Sequence, residues 1–124
     1  QVMQLHREAK VDYASNITPR SYPAGLDCEV FTMDALLRAH AQAHSSYDRE
    51  HVTPYMQRAR RWTKANLFSG KPELTRHRWT LDWPEDLDFL RAVFAIGNPV
   101  SMEATLAIIE RHPELPSINL ARVS

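Results

Sequence analysis

Short β-like runs alternate with amphipathic helical runs along most of this chain, and this alternation constrains its fold more than any other feature. Strand composition marks four segments: Val11–Asn16, Cys28–Thr32, Arg61–Phe68 and Arg78–Leu81. Helical spacing marks the other segments: 1–10, Met33–His44, a run broken or started near Pro54, Pro84–Ile96 and the run after Ser101. Alternating elements of both kinds favour an α/β arrangement over a helical bundle.

Length and charge restrict the classes of protein to consider. The chain has 124 residues, enough for one domain, and we predict a single domain over residues 1–124. Lys and Arg together number 15, and so do Asp and Glu, so the formal net charge is zero. A binder of nucleic acid or of membrane surfaces needs a basic excess, so neither partner is expected. No apolar run approaches the roughly 20 residues that a membrane span requires.

Cysteine and glycine usage narrows the chemistry further. Cys28 is the single cysteine, so no internal disulfide can form, and a cytoplasmic location is expected. Cys28 lies at a strand start, where we expect it to pack rather than to act as a nucleophile. The three glycines are not grouped, so the chain lacks a glycine-rich phosphate loop.

The segment LDWPEDL places an acid between a β-like run and a helix. Asp82 could be the N-cap of that helix, with Pro84 in the first turn and Glu85 closing a capping box. Asp82 could also hold Mg²⁺, because ligands of open α/β sheets bind beyond the carboxyl ends of strands and Mg²⁺ prefers oxygen ligands. The two roles are compatible, and the pattern leaves both open.

The segment HSSYDREH has the spacing of a metal site only if it is one continuous helix. His44, Asp48 and His51 would then share a face and could bind zinc. Ser45 and Ser46 are expected to break the helix before that face forms, so hydrogen-bonded or solvated side chains are the favoured interpretation.

Two further clusters could bind an anion. Basic residues gather near one predicted helix end, where they could attract phosphate or form a solvated face: Arg58, Arg60, Arg61 and Lys64. In the proline-stiffened loop after the first strand, the forked guanidinium of Arg20 would suit a carboxylate or phosphate. The alternative is that this loop only connects two strands.

Three strings in this order carry a family resemblance: PRSYPAGLDCEVF, DREHVTPY and RWTLDWPEDL. They resemble the C-terminal half of the spore-coat-polysaccharide-type cytidylyltransferases, within the acylneuraminate and ketodeoxyoctonate cytidylyltransferase group. The resemblance extends from about Val11 to Asn119, almost the whole chain.

The resemblance implies a Rossmann-like nucleotide-diphospho-sugar transferase fold, with a mixed sheet flanked by helices. It implies transfer of CMP from CTP to a sugar acid in surface-polysaccharide biosynthesis, with Mg²⁺ as cofactor and Asp82 as a metal ligand. Six residues of these strings, with Asn16 in the segment DYASNIT directly before the first string, are the implied substrate-binding set: Asn16, Arg20, Asp27, Glu29, Arg49, Glu50 and His51.

The sequence also departs from this family. The family's nucleotide site lies in its N-terminal half, with a basic glycine-containing segment and a second acidic metal ligand, and these 124 residues contain neither. We therefore expect this chain to be the C-terminal portion of a larger domain and to be inactive alone. Cys28 and Trp83 stand where the family would have valine and a small polar residue. The alternative is a non-catalytic α/β module that forms a homo-oligomer or binds sugar or phosphate.

Overall fold

The computed structural model describes residues 1–123, which form two compact units. The first unit contains Gln1–Tyr22 and Asp27–Lys71. The second contains Pro23–Leu26 and the chain from Pro72 onward. The single domain over 1–124 stays a prediction.

A three-stranded mixed sheet lies in the first unit. The strands are β1 (Tyr13–Ser15), β2 (Glu29–Phe31) and β3 (Lys64–Asn66), in the order β2-β1-β3. β1 runs antiparallel to β2 and parallel to β3, which makes the sheet mixed, as predicted.

Four helices accompany this sheet: α1 (Val2–Ala9), α2 (Met33–Gln42), α3 (Ser46–His51) and α4 (Pro54–Arg58). Side-chain caps explain where two of them begin. Thr32 Oγ1 accepts from the Ala35 N–H at 3.0 Å, and Ser45 Oγ accepts from the Asp48 N–H at 3.1 Å. The predicted break at Ser45 and Ser46 is therefore confirmed.

Apolar side chains from the sheet and these helices form the core of the first unit. Its buried members are Tyr13, Ala35, Ala39, Met56 and Trp62. Ala35 and Ala39 of α2 share this buried cluster with Tyr13 of β1, and burial of the large side chains supplies most of the stabilisation.

The second unit is helical. It contains α5 (Pro84–Ile96), α6 (Met102–Arg111) and three 3-10 helices, at Pro72–Arg76, Leu115–Ile118 and Leu120–Arg122. Its core consists of Phe89, Val93, Ile108, Ile109 and Leu115. No helix in the described chain is long and apolar enough to cross a membrane.

Several sequence predictions are confirmed and three are wrong. The bounds of α5 are as predicted, and α6 begins after Ser101 as predicted, with Ser101 Oγ accepting from the Ala104 N–H at 3.1 Å. The strand at Arg78–Leu81 is wrong, because only Arg78 pairs, through an isolated bridge to Ala24. Packing of Cys28 is also wrong, since its side chain is exposed. The strand predicted over 61–68 is reduced to β3.

The third wrong prediction concerns the cap of α5. Trp83, not Asp82, is the N-cap residue, and Pro84 is the first helical residue. Asp86, not Glu85, closes the turn by accepting from the Trp83 N–H at 3.1 Å. The acid three residues beyond the N-cap has the right reach for this bond, and Glu85 is one residue too early.

Candidate functional site

Asp86 is the centre of a buried polar cluster at the start of α5. Its side chain is fully buried and accepts from Arg78 Nε and Nη2, each at 2.9 Å. Asn119 Nδ2 donates to the same carboxylate at 3.0 Å, and the N–H groups of Asp82 and Trp83 donate at 3.1 Å each. A buried charge with this many donors is compensated, so the cluster fixes the geometry of the turn.

The electrostatics of the cluster follow from these contacts. Hydrogen bonds from Arg78 hold the pKa of Asp86 well below its ordinary value, although burial acts in the opposite direction. The hydrogen bonds to Asp86 also raise the pKa of Arg78. Both groups are therefore charged across the physiological range.

Asp82, the predicted metal ligand, lies at the surface of this cluster. Its side chain is 62% exposed, and its Oδ2 accepts from Arg78 Nη2 at 2.8 Å. Because Arg78–Leu81 forms no strand, Asp82 does not lie at the carboxyl end of one, and its metal role comes from the resemblance.

The residues present suit Mg²⁺ held by a single protein carboxylate. The oxygens of Asp86 are occupied by protein donors, so Asp82 is the one carboxylate of this cluster that a cation can reach. Among residues 1–123, no three His, Cys, Asp or Glu side chains lie close enough together to hold a metal. Mg²⁺ is often held by one or two carboxylates, with water and substrate phosphates as the other ligands. Asp82 fits that mode.

Trp83 packs beside the cluster under a basic side chain. The Arg122 guanidinium lies 4.2 Å from the Trp83 ring centroid, and its Nη2 donates to Glu85 at 3.2 Å. A cation over an aromatic face is attracted by the ring quadrupole. Trp83, where the family would have a small polar residue, therefore packs against Arg122 in this chain.

The loop after β1 brings four of the predicted binding residues together in the first unit. Arg20 and Asp27 form a two-pronged ion pair, with Nη2 and Oδ2 at 2.7 Å. The hydrogen bonds that Arg20 donates to Asp27 raise the pKa of Arg20. Asn16 Oδ1 accepts from the Cys28 N–H at 2.9 Å, and Glu29 begins the following strand. The loop is thus closed at its base by polar contacts.

Glu29 is the acceptor of a second polar network. Its Oε2 accepts from the Tyr13 hydroxyl at 2.5 Å and from Gln57 Nε2 at 3.1 Å, and its Oε1 accepts from Thr53 Oγ1 at 3.1 Å. Burial, with the bond to Glu29 adding to it, raises the pKa of Tyr13. Glu29 therefore joins the sheet to the start of α4, and its oxygens are used within the protein.

The three candidates on α3 have different surroundings. Arg49 Nη1 donates to the carbonyls of His40 at 3.2 Å and Ala43 at 3.3 Å, at the end of α2. Glu50 is exposed, and the His51 ring contacts Tyr47 with 4.6 Å between centroids. Arg49 thus satisfies helix-end carbonyls, whereas Glu50 and His51 remain accessible.

The basic group near α4 does not act as one anion site. Arg58 donates to Asp48 at 2.8 Å, and that bond lowers the pKa of Asp48. Lys64 Nζ donates to the Gln57 carbonyl at 2.6 Å, and burial lowers its pKa. Arg60 and Arg61 are exposed.

Sequence reasoning missed the residues that build these networks. The sequence predicted no role at the site for Asp86 or Arg78. The one sequence signal for their pairing was that an Arg and an Asp lie eight residues apart on either side of a predicted turn. Asn119 and Tyr13 gave none, because their partners are distant in sequence and belong to no motif.

No family model matches the chain. The uncharacterized protein MJ1063 of Methanocaldococcus jannaschii is 32% identical over 118 residues, covering 87% of this chain and 45% of that protein. A cytidylyltransferase of Leptospira borgpetersenii serovar Hardjo-bovis has a similar structure, with a TM-score of 0.80 and 21% identity. That similarity covers 90% of this chain and 48% of the other.

The chain spans about half the length of the proteins it matches. The structural likeness is strong and the sequence identity low, so the comparison establishes the fold. This chain is a mixed α/β protein with the cytidylyltransferase-like fold that the resemblance implied.

Proposed function

We propose that this chain is part of a nucleotidyltransferase that transfers CMP from CTP to a sugar acid, in the synthesis of a surface polysaccharide. The observation that carries the proposal is the TM-score of 0.80 to a cytidylyltransferase over 90% of the chain. The three ordered strings that resemble this family support it independently.

Asp82 has the proposed role of a magnesium ligand. Mg²⁺ would supply charge neutralisation at the phosphates, which is the main electrostatic need of such a transfer. The surface position of Asp82 and the rigid turn that Asp86 holds beside it favour this role. Arg78 donates to Oδ2 of Asp82, and Oδ1 accepts no hydrogen bond within residues 1–123, so Oδ1 is open to the cation.

Arg20 has the proposed role of binding the sugar-acid carboxylate. Each terminal nitrogen of Arg20 donates one N–H to Asp27. The Arg20 guanidinium has five N–H donors in total, so others remain for a substrate carboxylate. Asn16 and Glu29 shape the loop base through their own hydrogen bonds, so we assign them positioning roles. Glu50 and His51 are accessible for direct contact with substrate, and Arg49 holds α3 against the end of α2.

The test is pyrophosphate release from CTP with Mg²⁺ and a panel of sugar acids, using the longest polypeptide that contains this chain. We expect Asp82→Asn to lower kcat by about 100-fold and to raise the Mg²⁺ concentration needed for half-maximal rate. The 124-residue chain alone is expected to bind CTP poorly in isothermal titration.

Asp34→Asn is the matched control, because Asp34 is also an exposed aspartate with an Arg partner four positions away. Its activity should stay within about twofold of the parent, as surface pairs contribute little. Unchanged magnesium dependence in Asp82→Asn would refute the metal role. Absence of pyrophosphate release with every sugar acid would refute the transferase itself.

A further inference from the structure

A cleft of about 520 Å³ opens in the second unit, separate from the Asp86 cluster. Its apolar walls come from α6 and from the prolines that follow it: Leu106, Ile109, Pro113 and Pro116. A volume of this size is within the range of small-molecule sites, and prolines make one wall rigid. We call it the His77 cleft.

His77 lines this cleft with a side chain that protein contacts hold in place. The residue is only 5% exposed, and its backbone is fixed at both ends, donating to Leu74 O at 3.1 Å and accepting from Ala24 N at 3.0 Å. Its ring lies beside the Trp79 ring, with 5.6 Å between centroids, and its nitrogens are not among the buried unpaired atoms of residues 1–123. Because His77 lines the cleft, a ligand there can hydrogen-bond its nitrogens.

The protonation state of His77 defines what it can offer. Burial lowers its pKa, and the nearby charge of Arg76 acts in the same direction. The ring is therefore neutral at pH 7, with one nitrogen as donor and the other as acceptor.

Two opposite charges line the same cleft. Arg76 and Glu110 are both exposed, and neither forms an ion pair within the described part of the chain. The Arg76 guanidinium and the His77 N–H together favour a carboxylate. Glu110 would repel a ligand with a second negative group.

We infer that the His77 cleft binds a small monocarboxylate with an apolar, ring-sized body. The apolar part packs against Ile109 and the two prolines, and the carboxylate lies between Arg76 and His77. This site is distinct from nucleotidyl transfer and needs none of the residues assigned to it.

Indole-3-propionate is a suitable probe, with indole-3-propionamide as its neutral counterpart. Side-chain ¹H–¹⁵N NMR of the histidines should show saturable shifts of the His77 ring, while exposed His40 and His44 stay unchanged. Arg76→Gln should weaken binding of the carboxylate by about tenfold and leave binding of the amide unchanged.

Arg91→Gln is the matched control, an exposed arginine in the same unit that does not line the cleft. It should bind the carboxylate like the parent chain. The inference is overturned if His77 does not shift at millimolar probe, if the amide binds as tightly as the acid, or if the two arginine variants lose affinity equally.

Discussion

Asp86 is the residue on which the start of α5 depends, because it satisfies donors from three separate parts of the second unit. Arg78 and Asn119 direct their side chains at it, and the backbone of the turn does the same. Removing the carboxylate would leave a largely buried guanidinium with only the exposed Asp82 as an acidic partner. Breaking a buried pair in this way is far more damaging than never having formed one.

We expect Asp86→Asn to lower the free energy of unfolding by about 3 kcal/mol at pH 7, because the amide keeps the shape but not the charge. Chemical denaturation monitored by circular dichroism measures the change. Asp88→Asn, an exposed acid on the same helix, is the control and should differ from the parent by less than about 0.5 kcal/mol.

The same residue should influence the dependence of stability on pH. A carboxylate whose pKa is lowered by folding stabilises the native state fully above its unfolded pKa of about 4, and this contribution declines as the pH falls below that value. Unfolding free energies from pH 6 to pH 2 should therefore fall more steeply for the parent than for Asp86→Asn. Parallel curves would mean that Asp86 does not contribute to the pH dependence of the unfolding free energy.

Single residues of the site were predictable only where a motif named them. The family strings identified Arg20, Asp27 and Glu29, yet nothing in those strings indicates that Arg20 and Asp27 pair or that Glu29 accepts from Tyr13. Asp82 and Asp86 lie in one short segment and are chemically alike. Asp86 is the buried one, and one of its partners, Asn119, is far away in sequence.

The junction of α3 and α4 stores backbone strain. Val52 has φ 68° and ψ −56°, and Thr53 N donates to His51 O at 2.8 Å, which makes a γ-turn centred on Val52. A β-branched residue at positive φ is strained, and Val52 is 45% exposed, so burial compensates only partly.

Val52→Gly should therefore stabilise the chain by about 1 kcal/mol. Relief of strain is worth about 1–3 kcal/mol, and the greater freedom of glycine in the unfolded chain offsets about 0.5–1 kcal/mol of it. Thermal and urea denaturation measure the difference. Val52→Ala keeps the Cβ atom and should recover less. A glycine variant less stable than the parent would show that Val52 packing outweighs the strain.

Elements were predictable in proportion to their length and periodicity. The 13-residue α5 repeats its apolar positions over several turns and has Pro84 at its start, so its bounds are unambiguous. Arg78–Leu81 has strand composition, but only Arg78 pairs with another segment, through an isolated bridge to Ala24. Strand composition without a neighbouring strand does not make a strand.

The second unit is assembled from two separate parts of the chain. Pro23–Leu26 belongs to it, and Trp79 N donates to Ala24 O at 2.7 Å to join that segment to the main part. The sequence predicted only a proline-stiffened loop here, since no local pattern reveals that four loop residues join a distant helical unit. Gly25 allows the approach, with φ at +108° and space for a hydrogen atom only.

Gly25→Ala should disrupt this junction. An added Cβ would lie 2.6 Å from the Trp79 carbonyl oxygen, and the positive φ is unfavourable for alanine in any case. Together the clash and the backbone strain should reduce unfolding free energy by about 2–4 kcal/mol. Amide hydrogen exchange should show the largest loss of protection in α5 and α6.

Gly70→Ala separates the two causes, because Gly70 has φ +71° but nothing within 4 Å of an added Cβ. That variant carries only the backbone strain and should lose about 1 kcal/mol, with its effect in the first unit. Equal losses in the two variants would mean that the Trp79 contact gives way easily. A larger loss in Gly25→Ala, concentrated in the second unit, would establish that a four-residue loop segment is a structural part of it.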